Sequence, residues 1–103
     1  MHSGRGPRKV VLALEGELTI FRAEELKASL LGKLESCDEL DVDLARVTDI
    51  DTSGVQVLIL AKRTSLLDGK VLRLHGHSQA VINVFELLDI AQLFSDPIVM
   101  SSP

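Results

Sequence analysis

Apolar and polar residues alternate with different periods along the chain, and each change of period marks an element. Val10, Leu12 and Leu14 alternate with Val11 and Ala13 up to Glu15, the two-residue period of a strand, before Gly16 interrupts. The pattern predicts a strand over 9–15, a bend at Gly16 and a short second strand at Glu17-Leu18. From Ala23 the period lengthens. Ala23, Leu26, Leu30, Leu31 and Leu34 follow three-and-four spacing, with Glu24, Glu25, Lys27 and Lys33 mostly on the other side of an amphipathic helix. Thr19 could cap that helix, although position 22, where a capping box wants Glu or Gln, holds Arg22. Glu39 to Leu44 alternates strictly, with Leu40, Val42 and Leu44 on one face and Glu39, Asp41 and Asp43 on the other. A second helix is expected over 53–67, opened by the capping side chains of Asp51, Thr52 and Ser53 and closed before Gly69. Lys70 to His75 reads as a strand. Ser78 to Leu88 reads as a third helix, capped by Ser78, with Val81, Ile82, Phe85 and Leu88 on its apolar face.

Strands alternating with helices over such short gaps imply right-handed crossovers, and a sheet that is parallel where those crossovers occur. Carboxylates repeating along one face of the central strand could not be covered by a helix layer without heavy desolvation cost. The expected fold is therefore α/β with two layers: a mixed, mainly parallel sheet carrying helices on one face. Residues 1–8 read as a flexible leader, 9–94 as a single domain whose last residues, 89–94, pack back, and 95–103 as a tail.

Composition narrows the function. A chain of 103 residues and 11.2 kDa suits one core, and 46% hydrophobic with 25% charged residues is ordinary globular composition. A net charge of -4 and a pI near 5.2 do not suggest a nucleic-acid surface. The core is aliphatic, with 18 Leu, 10 Val and 6 Ile against Phe21, Phe85 and Phe94 and no Trp or Tyr, so no platform for base stacking is expected. Cys37 is alone, which excludes an intrachain disulfide. His75-Gly76-His77 has no third metal ligand in sequence reach and reads as a strand-end turn; no metal or cofactor is expected. Gly4 and Gly6 lack the strand and the Gly-Lys-Ser/Thr of a phosphate loop. No signal peptide and no run approaching the ~20 apolar residues of a membrane span are seen, so a cytoplasmic protein without direct membrane insertion is expected. Lys62, Arg63, Lys70 and Arg73 read as solvated surface, or as an edge that meets an acidic partner.

The densest group of chemically able side chains is Thr48-Asp49-Ile50-Asp51-Thr52-Ser53-Gly54, on the loop between the central strand and the second helix. Ligands and partners of open α/β sheets meet the carboxyl ends of strands, and a helix amino terminus there offers unpaired N–H groups and a positive dipole end. A hydroxyl in the first turn can accept a phosphoryl group, which Asp49 and Asp51 would repel; equally, Asp51, Thr52 or Ser53 can simply cap the helix. Two aspartates at this spacing also suit an aspartate-nucleophile phosphatase, but the chain lacks room for that fold's other strands and lysine, so an enzyme is not expected. Val55, Val57, Leu58, Ile59, Leu60 and Ala61 point nearly all round the second helix. Either its neighbours cover them all, or an apolar edge near Leu60, flanked by Gln56, Arg63 and Thr64, is a protein-binding strip.

The run from Val47 to Leu58, with Asp51-Thr52-Ser53-Gly54 at its centre, resembles the signature loop and helix of STAS domains, the family of anti-sigma-factor antagonists. Gly16-Glu17-Leu18 with Ala23-Glu24-Glu25-Leu26, Gly69 to Leu74, and Ser78 to Leu88 are similar to the family's flanking elements, so the resemblance covers 9–94. It implies a regulatory binding module. In antagonists of the family, the serine before the loop glycine, here Ser53, is phosphorylated by a partner that is both kinase and anti-sigma factor. The unphosphorylated form binds that partner and frees the sigma factor, a phosphatase resets the switch, and ATP belongs to the partner. The implied partner surface is Asp49, Asp51, Thr52, Ser53, Gly54, Gln56, Val57 and Leu60 with Thr19. Thr19 stands where many antagonists have Asp, and Thr52 replaces a common serine. A second branch of the family supplies the cytoplasmic subunit of phospholipid-transporting ABC transporters, and Thr52 fits that branch. Monomer, homodimer and fixed subunit all stay open.

Overall fold

The computed structural model describes residues 8–88. Three strands, β1 (Lys9–Leu18), β2 (Glu39–Ile50) and β3 (Val71–His75), alternate with three helices, α1 (Ala23–Glu35), α2 (Thr52–Leu67) and α3 (Gln79–Leu88), and a 3-10 turn over Ile20–Arg22 precedes α1. The sheet order is β1-β2-β3, and both pairings are parallel. The antiparallel component allowed by a mixed sheet is not present among the described residues. What was expected to be a separate strand at Glu17-Leu18 is the end of β1, which runs through Gly16 without leaving the sheet.

That continuity depends on β2. Its inward residues are Leu40, Val42, Leu44, Val47 and Ile50, all buried, so the spacing of two lengthens to three after Leu44. The register shows why. Ala13 pairs with Asp43 but Glu15 with Arg46, and Gly16 pairs with Val47 but Glu17 with Asp49. At each shift β2 carries one more residue than β1, the signature of a bulge, which turns Ala45-Arg46 and Thr48-Asp49 outward and keeps Val47 and Ile50 in the core. Strict alternation ends at Leu44 for this reason, while the strand continues to Ile50.

Leu40, Val42 and Leu44 are fully buried and form the floor on which the helices pack: Leu26, Leu30 and Leu34 from α1, Val55, Leu58 and Ala61 from α2, Val81 and Phe85 from α3. Cys37 joins this core, and burial pushes its thiol pKa up. The opposite face of the sheet is charged. Arg73, in register with Asp41, reaches Glu39 at 2.7 Å and Asp41 at 3.2 Å, and Lys9 approaches Glu39 at 4.0 Å. Val11 and Val71 stand exposed beside them, so this face is open, as the carboxylate repeat requires.

The basic residues do not form one patch. Lys62 is buried and donates to the carbonyl of Leu72 at 3.0 Å, its apolar stem crossing the α2–β3 contact. Lys70 donates to the carbonyl of Leu34 and Arg73 serves the sheet face, which leaves Arg63 as the exposed member at the surface of α2. At the start of β1, Arg8 is tied down: its carbonyl accepts from the N–H groups of Asp38 and Glu39, and its own N–H donates to the Asp38 carboxylate at 2.8 Å. The rest of the leader, the segment 89–94 and the tail lie outside the described residues.

Candidate functional site

The end of β2 delivers Asp51 to the N-cap of α2 in an extended conformation. Its carboxylate does two things. Oδ1 accepts the N–H of Gly54 at 3.1 Å, capping α2, and Oδ2 accepts the N–H of Ile20 at 3.1 Å, holding the turn that follows β1. Its own N–H donates to the carbonyl of Leu18 at 3.2 Å. Of the three candidate capping residues, Asp51 is the one used. It fastens the β1–α1 connection to the β2–α2 connection, so two loops distant in sequence become one surface.

Gly54 completes that junction. It is buried against the end of β1, where a Cβ built on it would lie 2.1 Å from the Leu18 carbonyl oxygen. Arg22 braces the junction from the other side. Its Nη1 donates to the carbonyls of Glu15 (3.0 Å) and Glu17 (3.1 Å), and the guanidinium lies 3.8 Å from Glu25. A residue that is wrong for a capping box is thus right for pinning the last turn of β1. Thr19 does not cap α1 by its side chain. It precedes the 3-10 turn, is 8% exposed, and its Oγ1 has no hydrogen-bond partner among the described residues.

With the first turn of α2 pressed onto β1, Ser53 faces sideways, half-buried, into an open groove of about 430 Å³ between α2 and the start of α1. Ile20, Ala23, Glu24, Gln56, Val57 and Leu60 line it with Ser53. Past Gln56 and Leu60 the groove runs on to Ile59 and Arg63. Phe21, at 91% exposure, follows Ile20 in the 3-10 turn and does not line the groove.

Of the residues expected at a partner surface, the structure brings Ser53, Gln56, Val57 and Leu60 together in this groove. Leu60 is 38% exposed, which places it on an edge rather than in the core. Thr52 and Asp49 are exposed outside the lining, and Asp49 accepts the N–H of Ile50 at 2.9 Å. Gly54 and Thr19 lie beneath the surface, and Asp51 is committed to its two N–H partners. The carboxylate that shares the groove with Ser53 is Glu24. The sequence pattern places Glu24 only on the polar side of α1 and does not mark Ile20 and Ala23 as part of the site. The signal was the pair Ile20-Phe21, two large apolar residues between a strand end and a helix start with no place in either period. Chemically the groove offers a hydroxyl, an amide, a carboxylate and an apolar floor, and among the described residues no group of three side chains could hold a metal ion.

A parallel sheet with helices on one face, and a serine in the first turn of the helix leaving the central strand, define a small α/β domain of the STAS type. The chain belongs to the STAS-domain family: the family described as "Mlab, STAS domain" matches residues 1–99. Among solved structures, the chain is similar to the anti-sigma factor antagonist SpoIIAA in its unphosphorylated form, with a TM-score of 0.70 and 22% identity over 86% of this chain and 79% of that one. It is also similar to the Bacillus cell fate determinant SpoIIAA in the phosphorylated form, at TM-score 0.64 and 21% identity over 86% and 82%. A third likeness, to a protein named Mglu, has a TM-score of 0.59 and 25% identity and covers 65% of this chain but 17% of that one. No curated protein sequence matches the chain at a significant level.

Proposed function

We propose that this domain is an anti-sigma-factor antagonist: a binding module, not an enzyme, that docks an anti-sigma serine kinase through the α2 groove and is released when Ser53 is phosphorylated. The observation that carries the reading is the position of Ser53, a half-buried hydroxyl at the head of an apolar groove and in the first turn of α2. A phosphoryl group there adds about -1.5 to -2 charges. It stands beside Glu24 and over the apolar lining of Ile20, Val57 and Leu60, so it repels the neighbouring carboxylate and hydrates a surface the partner needs dry. Asp51 and Gly54 set the position of Ser53, Thr52 and Asp49 form the exposed rim a kinase must approach, and Thr19 supports the turn from below. A phosphatase reverses the modification, nucleotide is bound by the partner, and the circuit operates in the cytoplasm. The fold shared with both phosphorylation forms of SpoIIAA supports this reading.

A second reading, a fixed subunit of a phospholipid-transporting ABC transporter, is favoured by Ile20 and Phe21, whose exposure of 64% and 91% suits a partner that never leaves. The intact mass of the protein from its native cells, with Ser53→Ala as control, separates the two. A fraction heavier by one phosphoryl group, absent from the variant, is the expected result. Its absence under every growth condition would shift the assignment to the fixed subunit.

A further inference from the structure

The groove along α2 has a property that a surface made for an unrelated partner does not need: its two ends carry opposite charges. Glu24 lines the end near Ser53, and Arg63 lines the far end. Neither makes an ion pair among the described residues, whereas Arg22, Arg46 and Arg73 each face a carboxylate. Between them lie the apolar side chains of Val57, Ile59 and Leu60, and beyond Arg63 the exposed Leu67, at 86% exposure, continues the same stripe. Ser53, Leu60 and Leu67 are spaced by sevens, as are Gln56 and Arg63, so these positions share one side of α2 as a seam, drifting by only about 20° per heptad. The seam spans about 21 Å at a rise of ~1.5 Å per residue.

From this we infer that the groove closes on a second copy of this chain, in a two-fold dimer with antiparallel α2 helices crossing at Leu60. A two-fold interface requires a patch complementary to itself under rotation. Leu60 is the midpoint of the seam, seven positions from Ser53 and seven from Leu67. Rotation about it places Arg63 of the second copy over Val57, in the stretch of groove that Glu24 lines, and the reciprocal pair forms at the other end. Leu67 of the second copy arrives over Ser53 and covers the head of the groove. The arrangement removes four otherwise exposed apolar side chains, Leu60 and Leu67 from each copy, and satisfies both unpaired charges twice.

The dimer does not depend on the phosphorylation reading, but it has a consequence for it: Ser53 is covered in the dimer and open in the monomer, so self-association and partner binding exclude each other.

Sedimentation velocity of the full chain at increasing concentration tests the inference through charge reversal. The parent protein should pass from monomer to dimer. Glu24→Arg and Arg63→Glu, each of which sets like charges opposite one another, should each weaken dimerisation at least about tenfold. The double variant Glu24→Arg/Arg63→Glu should dimerise again, and an equimolar mixture of the two single variants should form a heterodimer. Leu60→Asp should be monomeric, with an unchanged circular dichroism spectrum showing that it is folded. A parent protein that stays monomeric at the highest concentration reached overturns the inference and leaves the groove to a different partner. A dimer indifferent to all three substitutions overturns it too, because its interface then lies elsewhere. If the charge-swap pattern holds while Ser53 is never phosphorylated, the dimer stands and the antagonist reading fails.

Discussion

Gly54 and Asp51 show how much of the site rests on two residues that do not line it. An alanine at position 54 would gain about 1 kcal/mol of helix propensity, since glycine is a poor residue inside a helix. Its Cβ would also have to occupy space 2.1 Å from the Leu18 carbonyl oxygen, which is backbone and cannot rotate away. Overpacking of a rigid neighbour costs about 1–3 kcal/mol or more, so the clash outweighs the gain. Gly54→Ala should be net destabilising by about 2 kcal/mol, and the shift should appear as a lower urea midpoint with an unchanged m-value. A midpoint equal to or above that of the parent would mean that α2 and β1 can separate at this point without loss. The sequence marks both residues as special, Gly54 through the resemblance to the STAS loop and Asp51 as one of three capping candidates. What it does not contain is the partner of each: Leu18 and Ile20 are more than thirty positions away from Asp51, and no local pattern links them.

Among the elements, β2 and α3 are the instructive ones. The inward set Leu40, Val42, Leu44, Val47, Ile50 was visible as a list of apolar residues but not as one strand, because a two-residue period cannot describe a strand that bulges twice. The bulges matter to the site, since they let β2 run two residues further than β1 while both end together at Leu18 and Ile50. At α3, His77 packs edge-on against Phe85, with ring centroids 5.5 Å apart and planes at 81°. Burial holds its imidazole below the ordinary value of 6.5, and His75 adds to the shift. The folded state thus keeps His77 neutral at a pH where the unfolded chain already protonates it. The contribution to stability is whole above the unfolded pKa and is lost as pH falls below about 6.5 toward the folded value. The urea midpoint should decline over that interval, and His77→Gln should flatten the decline. A decline of the same slope in the variant would assign the effect to other groups.

For the whole molecule, the two-layer arrangement is the testable claim. Val11 and Val42 are both strand valines, but Val11 stands 67% exposed on the open face and Val42 is fully buried under the helices. Val11→Lys should change stability by no more than about 0.5 kcal/mol, as surface substitutions do. Val42→Lys places an ammonium group where no counter-charge waits and should unfold the domain. Thermal melts of the two variants compare the faces directly. If Val11→Lys unfolds the protein, the outer face is covered by something and the sheet has a third layer.

Local physics was enough for the identity of most elements, the inward and outward faces of β1 and of the first half of β2, the water-facing carboxylates and the serine at the start of α2. Each of these depends on residues within a few positions of one another, where period and capping chemistry act. The groove is another matter. Ser53 shares a groove with Glu24 and Ile20 only because β1 and β2 are adjacent and end together, and because Asp51 reaches across to the turn after β1. Lys62 is buried and Arg63 exposed, although they are neighbours in the chain, because β3 passes beneath one face of α2 and not the other. Such pairings are set by the packing of the layers, and packing joins residues that the linear pattern keeps apart.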